Sequence, residues 1–281
     1  MLKEYCFHSH TYRCGHAAKN KDIEDYVTEA IKCGFKRYGV SDHVFLPGVI
    51  QEGIRGDYSL LQEYIDEFKR CKAIYGNQIE MYLGFEAEWS PYYKKYYESL
   101  LRDRGFDYLI CGQHCGFNED FESYWYMTYD LEKQEPGLLK YRDDILAAIK
   151  SGLYLYIAHP DLFMMCCPKV TPLYAQITKE IIETAIEYNV ALEVNIHGIL
   201  REKTKNGVRF EEYPSDYFWT EAAKTKVKIV YGGDFHDPEE IIRSDVREKA
   251  EELIKRAGVH LTDINEVYNE YQERLKKLKI K

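Results

Sequence analysis

Long apolar runs are missing from this 281-residue chain. No stretch approaches the roughly 18 residues that cross a bilayer, and the opening Met1-Leu2-Lys3-Glu4-Tyr5 has no apolar signal core. A surplus of positive charge is also missing: 38 Lys and Arg stand against 47 Asp and Glu, a formal net charge of −9. That balance argues against a nucleic-acid partner, because polyanion binders gain affinity from clustered cations. It leaves room for a compact anion, which needs only one or two local positive groups. CxxC pairs are absent as well. Cys6, Cys14, Cys33, Cys71, Cys111, Cys115, Cys166 and Cys167 follow no disulfide rhythm, and several sit in apolar runs. Buried free thiols in a reducing compartment, and so a cytoplasmic location away from membranes, are the expectation. Low-complexity stretches and Pro/Gly linkers are lacking too.

What is present is an ordinary globular composition, 45% hydrophobic and 30% charged, with an unusual 26 tyrosines. Tyr92, Tyr93, Tyr96 and Tyr97 fall on an expected helix surface, with rings over the core edge and hydroxyls outward. Short β-rich apolar runs at 2–7, 37–40, 79–84, 108–112, 153–158, 190–196 and 227–232 predict seven strands. Helical spacing falls between them at 21–33, 59–75, 91–104, 141–150, 178–188 and 213–224. Such alternation predicts an α/β fold of parallel strands with right-handed helical crossovers, either doubly wound or a closed barrel. Chemistry-bearing residues follow nearly every strand, whereas an open sheet gathers its site at one switch point, so the barrel is the better expectation. Helices at about 238–257 and 262–278, parted by Gly258, are expected to pack on it, making 1–281 a single domain. The irregular segments 44–58 and 116–137 follow strands and are candidates to cover the site. Segment 198–213 is locally basic, with Arg201, Lys203, Lys205 and Arg209, and reads as a solvated loop.

The first strand ends Phe7-His8-Ser9-His10; in an extended chain i and i+2 share a side, so both imidazoles can face one ion. His16 follows in Cys14-Gly15-His16-Ala17. Later strands end in Ser41-Asp42-His43, Gly84-Phe85-Glu86-Ala87-Glu88, Gly112-Gln113-His114, Ala158-His159-Pro160-Asp161 and Gly233-Asp234-Phe235-His236, while the sixth ends in Glu193-Val194-Asn195-Ile196-His197. One zinc takes about four ligands, so this donor set exceeds one ion. Nitrogen and oxygen donors without thiolates suit Zn, Mn or Fe, and paired ions about 3.5–4 Å apart stabilise attacking and leaving oxygens in phosphoryl transfer.

In these motifs the sequence resembles the polymerase-and-histidinol-phosphatase (PHP) superfamily, and within it the histidinol-phosphate phosphatase branch, over residues 8 to 236. The resemblance implies a distorted (β/α)7 TIM-like barrel with two or three divalent metal ions. His8, His10, Glu86 and Asp234 hold one; Glu86 bridges to a second with His114 and His159; His16, His43 and His236 hold a third. Glu86 rather than Glu88 is the implied ligand, with Glu88 behind it. The implied reaction is hydrolysis of a small phosphomonoester, L-histidinol phosphate, by a metal-bridging hydroxide, with Glu86 and Asp234 in the reacting centre and Asp161 or His236 relaying a proton. Arg201 is the implied phosphate anchor, with His197 and Lys169 as further substrate contacts. One departure stands out: after Asp161 the chain reads Leu162-Phe163-Met164-Met165-Cys166-Cys167, where a basic residue is expected, and Lys169 is the nearest cation. Another monoester, a nucleotide phosphodiester, a binuclear amidohydrolase reaction and a structural or regulatory metal-binding barrel stay open as alternatives. The oligomeric state is not legible.

Overall fold

The computed structural model describes residues 4–201, 204–205, 208–209 and 213–281. Residues 2 and 3 of the first expected strand, and Lys203 of the basic segment, lie outside them. The strands are β1 (Tyr5–Cys6), β2 (Arg37–Val40), β3 (Glu80–Glu86), β4 (Tyr108–Ile110), β5 (Cys115–Phe117), β6 (Ser123–Trp125), β7 (Tyr156–Ile157), β8 (Ala191–Asn195), β9 (Thr204–Lys205), β10 (Val208–Arg209) and β11 (Ile229–Gly232). Between and after them run α1 (Ile23–Lys32), α2 (Leu61–Tyr75), α3 (Lys94–Asp103), α4 (Gln134–Ser151), α5 (Pro172–Glu187), α6 (Asp216–Ala223), α7 (Pro238–Ile242), α8 (Ser244–Ala257) and α9 (Ile264–Lys277).

β1, β2, β3 and β4 form one parallel sheet in chain order, and β11, β8 and β7 form a second. Both edges of these sheets are tied. Leu155 N donates to Leu109 O at 2.7 Å and Ala158 N to Cys111 O at 2.8 Å beside a parallel bridge between Cys111 and Ile157. On the other side His10 N donates to Phe235 O at 2.8 Å beside a bridge between Ser9 and Phe235. All seven expected strands are present and parallel to their neighbours, so their C-terminal ends share one face. Two antiparallel pairs, β5 with β6 and β9 with β10, decorate the segments expected to be irregular.

The strands are short, continuous apolar runs because both faces are buried, as parallel sheets require. Tyrosine fills much of the interior. Tyr108 Oη donates to the carbonyls of Phe7 and Val40 at 2.9 and 3.0 Å, and Tyr231 Oη to that of Tyr5 at 2.5 Å. The expectation of surface rings on α3 is corrected here: Tyr93 and Tyr97 are buried, and Tyr97 Oη donates inward to Glu88 O at 2.8 Å. α4 begins earlier than helical spacing suggests. Gly137 in its first turn lies against the Tyr126 carbonyl, and Leu138 and Tyr141 are buried, so packing outweighs the low helix propensity of Pro136 and Gly137. The single helix expected over 238–257 is broken at Arg243, which takes an extended backbone, and Arg247 Nη2 donates to the freed Ile241 carbonyl at 2.7 Å. Among the described residues no disulfide forms, and every cysteine but Cys33 is buried. Among the described residues no helix is long and apolar enough to cross a membrane.

Candidate metal centre

The shared C-terminal face of the strands brings nine donor residues together. His8 and His10 come from the end of β1, His43 from β2, Glu86 from β3, His114 from β4, His159 from β7, and Asp234 and His236 from β11, with His16 on the loop into α1. Glu86 is the centre of the group. One oxygen lies 2.9 Å from His159 Nε2, 3.5 Å from His8 Nε2 and 3.7 Å from His114 Nε2. The other lies 3.1 Å from His43 Nδ1 and 3.4 Å from His10 Nε2. Asp234 Oδ1 stands 3.0 Å from His10 Nε2 and 3.3 Å from His8 Nε2. His16 and His236 point their Nε2 atoms at each other at 2.9 Å. Two ring nitrogens at that separation share either a proton or an ion.

These atoms fit metal ions in three ways. Several donor sets have their ligand atoms mutually within 4.8 Å: His8, His10 and Asp234; His8, Glu86 and His159; His43, Glu86 and His114; and His10, His43 and His236. Second, His8 Nε2, His10 Nε2, His43 Nδ1 and Glu86 Oε2 are buried without a hydrogen-bond partner, a cost that an ion removes. Third, His43, His236 and both carboxylates already favour the charge states that ligation needs, neutral imidazole and ionised carboxylate. Burial, then the neighbouring imidazoles, keep His43 and His236 well below the usual histidine range. Burial disfavours the charged form of Glu86 and Asp234, yet the surrounding histidines outweigh it and hold both carboxyls well below the carboxylate range.

A layer of partners orients the donors. His8 Nδ1 lies 3.0 Å from the Glu193 carboxylate on β8; against the opposing effect of burial, Glu193, Asp234 and Glu86 raise the pKa of His8 well above normal. Glu88 sits between Arg55 Nη2, at 2.9 Å, and His114 Nδ1, at 3.3 Å, and both charges of the Arg55–Glu88 pair are screened from water. The ligand loop after β1 is pinned by Asp42, whose carboxylate accepts from Thr11 N and Thr11 Oγ1, each at 2.5 Å. Buried Arg13 on that loop pairs with Asp22, the N-cap of α1, and with Glu63 at 2.9 Å. Two donors sit in the left-handed region that L-residues seldom adopt: His159 at φ 30° and Asp234 at φ 51°, the latter eased because Asp tolerates this region better than most residues.

Above the donors opens a cavity of about 460 Å³. His16, His43, Glu86, His114, Asp234 and His236 form its floor, His197 and Arg201 one side, and Trp125, Met127, Leu162 and Met165 an apolar side. Of the residues expected on substrate, Arg201 and His197 line it. Arg201 Nη1 donates to Tyr213 Oη at 3.2 Å, and His197 Nδ1 is 3.8 Å from Glu240. Lys169 is exposed and is not part of the lining. Asp161 is also outside it: the carboxylate is fully buried, accepts from Ser215 N at 2.6 Å, and is pushed up to about 7 by burial. Sequence reasoning did not find Glu193, Arg55 or Tyr213. A Glu and an Asn inside the apolar run of β8 were a usable signal for the first; the other two lie in irregular segments with no pattern.

Fold and site together define a parallel α/β protein whose strand ends carry a donor set for divalent metal ions. Residues 7–197 match the PHP domain family, and the chain belongs to it. A protein named "Probable histidinol-phosphatase" from Deinococcus radiodurans is 28% identical over 240 residues, covering 83% of this chain and 86% of that protein. A Bacillus subtilis protein named "Histidinol-phosphatase" is 25% identical over 255 residues, covering 82% and 92%. Among solved structures, a histidinol phosphate phosphatase from Lactococcus lactis, complexed with zinc, L-histidinol and phosphate, superposes with a TM-score of 0.66 at 20% identity, covering 92% of this chain and 95% of that one.

Proposed function

We propose that this chain hydrolyses a small phosphomonoester, L-histidinol phosphate, to L-histidinol and inorganic phosphate, a step of histidine biosynthesis. The observation that carries the reading is the convergence of nine donor residues at the strand ends around Glu86, six of them lining a cavity that Arg201 also lines. The relatives named for the same activity align over more than four-fifths of the chain.

In this reading His8, His10, Glu86 and Asp234 hold one ion, Glu86 with His114 and His159 a second, and His16, His43 and His236 a third, from among zinc, manganese and iron. Such ions supply Lewis-acid neutralisation of the phosphoryl charge and activate water for attack. The chain's own residues do the rest. Arg201 binds the phosphate dianion, for which a planar guanidinium is well shaped. The apolar side receives the organic group, and His197 faces it from the wall. Asp161 holds the 213–215 segment through Ser215 N rather than moving a proton. His236 serves as a ligand. We also infer that β1, β2, β3, β4, β7, β8 and β11 close as a distorted (β/α)7 barrel, supported by the bonds tying both sheet edges, and that 1–281 is one domain.

The test is phosphate release by protein loaded with Mn or Zn, offered L-histidinol phosphate beside other phosphomonoesters and a phosphodiester. Selective turnover of histidinol phosphate, lost in Glu86→Gln and weakened mainly through KM in Arg201→Ala, is expected. Turnover only of other monoesters overturns the substrate, and none at full metal occupancy overturns the enzyme reading.

A further inference from the structure

One side chain at the reacting end of the cavity is not accounted for by the metal ligands or by Arg201. Tyr213 is 4% exposed, lines the cavity with Glu86, Asp234 and His236, and places its ring centroid 5.6 Å from that of His159. Its phenolic oxygen accepts from Arg201 Nη1 at 3.2 Å, and the guanidinium carbon sits 5.6 Å from its ring centroid. The backbone on both sides is fixed. Gly198, three residues before Arg201, packs so closely on Tyr213 that a Cβ there falls 2.3 Å from the Tyr213 carbonyl oxygen. Two residues beyond, Ser215 N is tied to buried Asp161.

A phenol both accepts and donates. The accepting side of Tyr213 is taken by Arg201, while among the described residues its O–H has no acceptor. A buried donor left unpaired is costly, so the position suits a ligand oxygen that arrives with substrate. Phosphoryl transfer loads charge onto the non-bridging oxygens, and donors already oriented toward them lower the barrier without reorganising.

We propose that Tyr213 contacts the substrate phosphate, donating its O–H to a non-bridging phosphoryl oxygen while its oxygen steadies Arg201 on the same group. The assignment rests on the phosphomonoesterase reading above. It concerns the phosphate half of the substrate and is indifferent to the alcohol.

The experiment is a double-mutant cycle on metal-loaded protein: wild type, Tyr213→Phe, Arg201→Ala and the double variant. For each, metal content, kcat/KM on L-histidinol phosphate and calorimetric affinity for inorganic phosphate are measured. Tyr213→Phe keeps the ring against His159 and is expected to retain full metal content while losing about 10- to 100-fold in kcat/KM and in phosphate affinity. A deficit of about fivefold or more is expected to persist when Arg201 is already Ala, as a direct contact requires. Disappearance of the deficit in that background overturns the proposal, because Tyr213 then acts only through Arg201. Loss of metal in Tyr213→Phe, or unchanged phosphate affinity, also overturns it. If wild type hydrolyses no monoester the parent reading fails, and the phosphate titration still decides whether Tyr213 touches phosphate.

Discussion

Glu193 shows how a residue remote in sequence governs the site. It touches His8 Nδ1 at 3.0 Å, leaving Nε2 facing Asp234 and Glu86, and it receives Asn195 Nδ2 at 2.9 Å. A carboxylate behind a ligand histidine fixes its tautomer and raises its basicity. Glu193→Gln is expected to weaken metal affinity by about 10- to 100-fold while leaving maximal turnover recoverable in excess metal; unchanged retention of metal against a chelating buffer sinks the idea. Asp161 carries a different signature. Burial raises its carboxyl from 3.8 to about 7, so the folded state holds this proton more tightly than the unfolded one. The stability it contributes is complete below 3.8 and is lost as pH rises through about 7. In metal-free protein, wild type is therefore expected to lose roughly 3 kcal/mol relative to Asp161→Asn between pH 5 and pH 8, since each pKa unit is worth about 1.4 kcal/mol. Urea unfolding of both proteins at the two pH values measures this, and an equal gap at both excludes it.

At the scale of elements, each strand ends where its side chain turns from core to site, and the neighbouring strand must leave room for it. Gly112, just past β4, is the clearest instance: a Cβ there falls 1.7 Å from Glu86 Oε1 on β3. Gly112→Ala removes no ligand, yet it is expected to displace the central Glu86 carboxylate, lowering metal content and turnover much as Glu86→Gln does and costing about 1–3 kcal/mol as overpacking. Metal analysis with thermal melts checks it, and a fully loaded, active variant counts against the central place given to Glu86. The break between α7 and α8 belongs to the same scale. Ile241 is buried while Ile242 is 54% exposed, so α7 turns one apolar residue inward and α8 restarts at Ser244 on a new face. Past Pro238 at its start, the run to 257 carries no Pro or Gly to announce that break.

Across the whole molecule the donors join six separate strand ends and one loop, so any ion they hold ties distant parts of the chain. Removal of metal by a chelator is expected to lower Tm as well as activity, and added Mn or Zn to restore both. Free metal at a hundredfold excess over Kd corresponds to about 2.7 kcal/mol per site; a Tm indifferent to metal contradicts the proposed centre. The seven strand positions and the donor at each strand end were readable because they are local facts: an apolar run sets the strand, and the first polar residue after it sits at the strand mouth. His8, Glu86, His159 and Asp234 follow that rule, and His43 and His114 stand one or two polar residues further on. What the sequence could not announce are contacts made by register and crossover. Glu193 reaches His8 across 185 positions, Arg55 reaches Glu88 from an irregular loop, Tyr213 takes the hydrogen bond of Arg201, and Lys169, near the site in sequence, faces solvent. Local pattern thus determined which residues stand at the strand ends, and tertiary packing alone decided which side chains orient them, because that depends on distances the chain acquires only on folding.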